Sequence, residues 1–157
     1  MKRITDSRRL LGVNEAVELK ELKTVYRNLM KDHHPDKFND NDELKHASEE
    51  KSKKIIEAYH FLVSVNKETQ LQSLPEYTQT ITLSGITDYE YKGQTLLIKF
   101  SDGSSYEYLG VPKSIYVKLV NAPAPARFAR RHIYSSFIYR NITKAEAAAV
   151  EVEASAS

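Results

Sequence analysis

The chain has 157 residues, which suits one compact domain or two small ones. Its formal net charge of +2 points to no particular partner, and the complete absence of cysteine excludes a disulfide framework, a thiolate zinc site and a cysteine nucleophile. No apolar run approaches the roughly 20 residues of a membrane span, and the N-terminal MKRITDSRRLLGV lacks the apolar core of a secretory signal. We therefore expect a cytoplasmic protein with no cofactor and no membrane contact.

The first half of the chain, up to about Asn66, has the apolar spacing of helices. Asp6 and Gly12 are typical of the start and the end of a short helix. Apolar residues then recur at steps of three and four in two longer stretches, around Leu22 and around Ile55. Between these stretches lies HHPDKFNDNDELKH, whose Asp, Asn and Pro residues are typical of a loop. The pattern predicts a short helix followed by two long helices with a loop between them.

The second half changes rhythm after QLQSLPEYTQT, which resembles a linker. Three short segments, ITLSGITDYEY, TLLIKF and SYEYLGV, are rich in β-branched and aromatic residues and are separated by turn signals at Gly93 and Gly103. Pro112 favours a helix over KSIYVKLVNA, and the prolines of APAPA must end that helix because proline cannot continue it. An aromatic and basic stretch follows, and the tail AEAAAVEVEASAS is compositionally simple.

These patterns predict an α+β protein in four parts. We expect a helical domain over residues 1–70 and a linker over 71–77. A small domain with an antiparallel β-sheet and one or two helices should cover 78–145. A disordered or frayed tail should cover 146–157.

One candidate site combines a basic helix face with the loop behind it. At 100° per residue, four basic residues of the second helix form a stripe beside its apolar face. The stripe consists of Lys20, Lys23, Arg27 and Lys31. Taken alone, such a stripe is usually a solvated face, and a lone His34 in a polar loop is usually solvated as well. His33 completes no metal-ligand set, so we expect neither a zinc site nor a hydrolytic centre.

The arrangement of the whole first half resembles the J domain of DnaJ-type co-chaperones. Three segments in order carry the resemblance: DSRRLLGV, LKTVYRNLMKDHHPDKF and EEKSKKIIEAYHFL. The tripeptide His34-Pro35-Asp36 ends a basic helix, after Leu-Gly-Val and ahead of an Ile-x-x-Ala-Tyr-x-x-Leu helix. The resemblance covers about Asp6 to Leu62. It implies an antiparallel pair of long helices joined by this loop, which docks on a DnaK-type chaperone and promotes ATP hydrolysis and client capture.

The same resemblance implies roles for individual residues. Those on the docking face or in the loop would be Lys20, Lys23, Tyr26, Arg27, Lys31, His34, Pro35, Asp36 and Lys37. Pro35 would stiffen the loop, so that less entropy is lost on binding. Asp36 can accept charge-assisted hydrogen bonds from an arginine of the partner. The basic stripe would steer an acidic surface and make binding sensitive to salt.

The chain departs from the family's pattern at several positions. Ser7 and Arg8 stand where the first helix usually carries an aromatic pair, and Ser52 replaces an apolar residue early in the last helix. Asn28 and Asp32 occupy positions where basic residues are common. We therefore expect a thinner core, or one completed by the second domain, and a narrower choice of chaperone partner.

The segment from about Ile81 to Asn141 resembles a KTSC domain, a small module also found at the C-terminus of some lysyl-tRNA synthetases. The most specific part is Tyr106-Glu107-Tyr108 followed by Val111-Pro112. Where the family often carries Ser-x-Gly after its helix, this chain has Ala124-Pro125-Ala126. The resemblance implies RNA binding, which has been suggested for a family whose function is poorly defined.

The basic C-terminal stretch gives this idea some independent support. From Lys113 to Ala145 the chain has basic residues interleaved with aromatic ones and no acidic residue. Basic side chains can contact phosphates while aromatic rings stack on bases. Candidate contacts to RNA or a second anionic partner are Arg127, Arg130, Arg131, Arg140, Tyr106 and Tyr108. The alternative, which we favour for most of the aromatic residues, is that they form the core of a small domain with few other large apolar residues.

Two functions from different classes follow from the sequence. The first is a co-chaperone whose second domain directs it to a client of unknown identity or to a site. The second is an RNA-binding protein that acts through its basic C-terminal domain. We do not expect an enzyme, because the titratable residues form no recognisable nucleophile–base pair or metal set.

Overall fold

A computed structural model of the chain describes residues 2–34 and 41–143. The chain divides into two compact units, Met1–Leu71 and Gln72–Ser157. Pro35, Asp36 and Lys37 of the predicted docking loop, and the predicted tail over 146–157, lie outside the described residues. Within the described part, no helix is long and apolar enough to cross a membrane.

The first unit is built from helices whose ends carry the expected signals. Its complete helices are α1 (Lys2–Leu11), α2 (Leu19–His33) and α3 (Asp42–Val65). Helix α1 begins at Lys2, so Asp6 lies inside it and does not cap it as we predicted. Gly12 follows its last residue with φ +70°, a left-handed conformation that glycine adopts at helix ends without steric cost. Asn41 caps α3, since its Oδ1 accepts hydrogen bonds from the backbone N–H groups of Glu43 and Leu44, both 3.1 Å long.

Helices α2 and α3 run antiparallel, as the J-domain resemblance implies. At one end, Ser52 of α3 donates a hydrogen bond to the carbonyl oxygen of His33, the last residue of α2. At the other end, the Asn66 side chain behind α3 donates to the carbonyl of Val17, just before α2. The end of α2 therefore lies beside the first half of α3, and the end of α3 lies beside the start of α2.

The core of the first unit is formed by the apolar stripes of the three helices. Its buried hydrophobic side chains are Ile4, Leu11, Leu22, Ile55, Ala58, Phe61 and Leu62. On α1, Ser7 lies between the two apolar residues of the buried face and is 9% exposed. The Arg3 guanidinium lies 4.0 Å above the ring of Phe61, a cation–π contact between α1 and α3. A small serine thus lies in the middle of the buried face of α1, and Arg3 of the same helix covers the Phe61 ring of α3.

The segment that we predicted to be a linker is helical. Helix α4 (Lys67–Leu83) includes all of residues 71–77, with Pro75 inside it. Its Tyr77 is 3% exposed and belongs to the core of the second unit. The β-rich region therefore starts at Ile86, and the first residues of ITLSG belong to a helix. The sequence did not predict this helix because the stretch contains a proline and many polar residues. Proline removes one backbone hydrogen bond and so opposes helix formation.

The second unit contains a four-stranded antiparallel sheet in the order β1-β2-β3-β4. The strands are β1 (Ile86–Lys92), β2 (Thr95–Phe100), β3 (Ser105–Leu109) and β4 (Ile138–Asn141). Both predicted turns are present. Gly93 and Gln94 have φ +56° and +65°, and a positive φ at both central residues is typical of a type I′ hairpin turn. At the other turn Gly103 has φ +89°, and Asp102 Oδ1 accepts from the Ser104 N–H at 2.9 Å.

Two short helices belong to the second unit, in addition to residues 72–83 of α4. Helix α5 (Lys113–Asn121) follows Pro112, and α6 (Pro125–His132) begins with a proline. The core contains alternate residues of β2, residues of β3, and side chains of both helices and of the segment after α6. Its most deeply buried members include Leu96, Ile98, Tyr106, Tyr108, Leu119, Ala129 and Ile133. The predicted α+β class is confirmed: the described residues of the first unit form helices, while those of the second unit form a sheet and helices.

Candidate functional site

The basic residues of α2 form one exposed stripe. Lys20, Lys23, Arg27 and Lys31 are all exposed, while Leu22 is fully buried. At 1.5 Å per residue the stripe extends over about 16 Å of helix. Positive charges three and four residues apart repel one another, and this repulsion is relieved when an acidic surface binds. The structure thus brings together the α2 cations that the sequence predicts as docking residues.

Tyr26 lies on α2 among these cations and is held by α3. Its ring stacks on that of Tyr59, with centroids 4.0 Å apart and planes 10° apart. The ring of His60 lies beside both, 6.5 Å from Tyr26 and 5.3 Å from Tyr59. Tyr26 and Tyr59 are each partly exposed, so the stacked pair offers a preorganised apolar edge. We did not predict Tyr59 or His60 as site residues, although the Ala-Tyr of the α3 motif is the signal that could have suggested Tyr59.

The end of α2 determines where His34 lies. His34 is exposed and has φ −66° and ψ 134°, so the chain leaves the helix in an extended direction. Ser48 and Ser52 of α3 both donate hydrogen bonds to the carbonyl oxygen of His33. Of the predicted loop residues His34 to Lys37, His34 is the one that the structure describes, and it immediately follows the last residue of the helix that carries the stripe.

In the second unit, the structure corrects our expectation for two tyrosines. Tyr106 and Tyr108 are 1% and 0% exposed, so they pack in the core and offer no surface to a partner. The hydroxyl of Tyr77 donates to the carbonyl oxygen of Tyr134 at 2.7 Å. Since that hydroxyl has a single proton, its 3.0 Å contact with Tyr108 requires Tyr108 to be the donor. Burial raises the pKa of Tyr106 to about 12, which keeps it neutral.

Arg140 has a different environment from the other predicted arginines. It faces Glu107 across β3 and β4, and its guanidinium donates a 3.1 Å hydrogen bond to Glu107 Oε2. The two side chains are only 14% and 20% exposed. Arg140 therefore forms a cross-strand ion pair that supports the sheet. By contrast, Arg127, Arg130 and Arg131 are all exposed on α6.

A cleft of about 260 Å³ lies between α6 and the proline segment before it. Arg127 and Arg131 line it one helical turn apart, and the rings of Phe128 and His132 lie against each other with centroids 4.7 Å apart. Arg130 does not line this cleft. The lining residues are Ala122, Pro123, Ala124, Arg127, Phe128, Arg131 and His132. The two arginines lie beside the apolar side chains of the cleft. The cleft can therefore bind a ligand that has an anionic group next to an apolar one.

Comparisons with known proteins agree with the division into two units. Residues 9–71 match the family model of the DnaJ domain, and residues 84–137 match that of the KTSC domain. The first match ends at the boundary between the units, since the first unit is Met1–Leu71. Residues 72–83, the greater part of α4, are covered by neither model.

Several curated proteins are similar to parts of the chain. It is 37% identical over 62 residues to Co-chaperone protein DjlA of Vibrio cholerae, which covers 38% of this chain and 22% of that protein. It is 42% identical over 60 residues to DnaJ protein homolog XDJ1 of Saccharomyces cerevisiae, covering 38% and 13%. It is 40% identical over 55 residues to Lysine--tRNA ligase of Nostoc punctiforme, covering 35% and 10%.

The chain therefore spans about a tenth to a fifth of the length of these relatives. Matches of this length support the assignment of the two domains, but they say nothing about the activity of the whole relatives. Fold, motif spacing and family models agree for each half. The chain thus carries a J domain over residues 9–71, followed by a KTSC domain over residues 84–137.

Proposed function

We propose that this protein is a co-chaperone that docks on a DnaK-type heat-shock chaperone and stimulates its ATP hydrolysis. One observation carries the proposal. The α2 stripe, the Tyr26 ring and His34 lie along one helix and its immediate end, in a unit that matches the DnaJ domain. The protein would supply no reacting group of its own. It would act by binding the ATPase more tightly in its hydrolysis-competent conformation, which shifts that equilibrium.

Each part of the surface would contribute differently to docking. The exposed lysines and arginine would speed the encounter with an acidic surface, an effect that salt weakens. The Tyr26–Tyr59 pair presents rigid aromatic surface, the kind that is often dominant in protein interfaces. His34 would reach the partner at the end of the helix, where the loop begins. The KTSC domain would bring the complex to its client.

Single-turnover ATP hydrolysis by a DnaK-type chaperone, measured with and without this protein, tests the proposal. We expect stimulation by the wild type. We also expect Lys23→Glu with Arg27→Glu to raise the half-maximal concentration by about tenfold, because two attractive charges become repulsive. The matched control is Lys53→Glu with Lys54→Glu, which makes the same charge change at exposed lysines of α3. An unchanged concentration for the stripe variant at low salt would show that the stripe is only a solvated face.

The cleft on α6 favours a second function for the other unit. We propose that the KTSC domain binds single-stranded RNA, with phosphates on Arg127 and Arg131 and a base against the apolar wall. The buried tyrosines would hold the domain together and take no part in binding.

A gel-shift titration of the full chain with a single-stranded RNA oligomer tests this second proposal. Arg127→Glu with Arg131→Glu should weaken binding and flatten its salt dependence, by about 0.7 in the logarithmic slope for each phosphate that an arginine no longer neutralises. Arg130→Glu, on the same helix but outside the cleft, should have the smaller effect. Wild-type affinity that is weak and does not fall with salt would reject RNA binding, and equal losses in both variants would reject the cleft as the site.

A further inference from the structure

The carbonyl oxygen of His33 accepts two hydrogen bonds from α3. Ser52 Oγ donates one at 2.8 Å, and Ser48 Oγ donates the other. The serines lie four residues apart on one face of α3 and are 5% and 6% exposed. A carbonyl oxygen has two lone pairs, so both bonds can form at once. We call Ser48 and Ser52 the serine clamp.

The clamp holds the peptide group from which His34 starts. The last carbonyl groups of a helix have no partner within the helix, and His33 is the last residue of α2. Its carbonyl oxygen belongs to the same planar peptide group as the backbone nitrogen of His34. Fixing this oxygen against α3 therefore fixes the plane that directs the chain out of the helix.

An apolar residue at position 52, as the J-domain resemblance leads one to expect, could pack between the helices but could not make this bond. A buried serine makes fewer apolar contacts than a larger apolar residue would make at the same position. In return, each of these serines donates a hydrogen bond to the last residue of α2. Just after residues 35–40, the Asn41 side chain caps the start of α3. Both segments that flank residues 35–40 are thus held by polar side chains.

We propose that Ser48 and Ser52 are positioning residues for chaperone docking. They set the direction in which the chain leaves α2, and so the way His34 is presented, without touching the partner themselves. This inference rests on the proposed co-chaperone function. It assigns a role to Ser52, one of the residues that depart from the family's pattern, and to Ser48, which the sequence did not single out.

The test uses Ser48→Ala, Ser52→Ala and the double variant in the single-turnover assay with the full chain. The double variant should lose about tenfold in maximal stimulation, and each single variant about two- to threefold, because one hydroxyl remains. The half-maximal concentration should change less than twofold, since the α2 stripe and Tyr26 are unaltered. Ser64→Ala is the control: it removes a comparable bond on α3, from Ser64 Oγ to the Phe61 carbonyl oxygen at 2.6 Å.

An NMR measurement distinguishes a local change at the end of α2 from a general destabilisation of the first unit. In the double variant, the NMR shifts of the His33 carbonyl carbon and the His34 amide nitrogen should move, while those of the Tyr26 and Tyr59 amides stay in place. Full stimulation by the double variant, or a loss no greater than that of Ser64→Ala, would overturn the proposal, as would unmoved His33 and His34 shifts. Failure of the wild type to stimulate would instead reject the co-chaperone function, and with it this role. The NMR shifts would still report whether the clamp holds the peptide.

Discussion

His34→Gln should reduce the stimulation of ATP hydrolysis to less than about a tenth of the wild-type level. His34 is exposed and immediately follows the last residue of α2, the helix that carries the basic stripe. Glutamine is similar in size and keeps hydrogen-bonding groups, but it lacks the flat ring. The measurement is single-turnover hydrolysis at a saturating concentration of the variant.

The variant should keep its fold, because the side chain of residue 34 is outside the core. Thermal unfolding should therefore match that of the wild type within the roughly 0.5 kcal/mol typical of surface substitutions. His46→Gln is the matched control, since the His46 side chain is 75% exposed on the first half of α3. If wild type and His34→Gln stimulate equally, docking does not use this histidine and the proposed site is wrong.

Tyr77→Ala should destabilise the second unit by about 3–5 kcal/mol, the range for removing a large buried aromatic side chain. Tyr77 stacks on Tyr139 with centroids 3.8 Å apart and meets Tyr106 edge to face at 5.1 Å. Tyr77→Phe should cost about 1–3 kcal/mol, because the Tyr134 carbonyl oxygen loses its donor and the Tyr108 hydroxyl loses its acceptor. Denaturant unfolding of the full chain, followed by tyrosine fluorescence and by hydrogen exchange of the strand amides, measures both changes.

This second prediction also tests where the second domain begins. Tyr77 lies in the segment 72–83, which neither family model covers, yet it is part of the core of the second unit. Leu74→Ala is the control on the same helix, because Leu74 is 44% exposed and its loss should have a small effect. Equal destabilisation by Leu74→Ala and Tyr77→Ala would show that α4 contributes no specific core residue.

Local chemistry made much of the structure predictable. A period of 3.6 residues places Lys20, Lys23, Arg27 and Lys31 on one side of α2 regardless of what surrounds the helix, so the stripe follows from the sequence. Glycine at the β1–β2 and β2–β3 turns marks positive backbone angles that other residues adopt only with strain. Proline before α5 and at the start of α6 marks where each helix begins. Its fixed φ suits the first turn, and the N–H that it lacks would have no partner there.

The sequence by itself therefore determined the two domains, their order, the basic face of α2 and the turns of the sheet. Alternation along β3 showed that Tyr106 and Tyr108 share a face, but not which face the rest of the unit covers. Tertiary packing buried that face, paired Arg140 with Glu107, and joined Ser48 and Ser52 to the end of α2. It also made a helix of the supposed linker, where burial of Tyr77 outweighs the local effect of Pro75. Each of these outcomes depends on contacts between residues that are far apart in the sequence, so a local sequence pattern could not predict it.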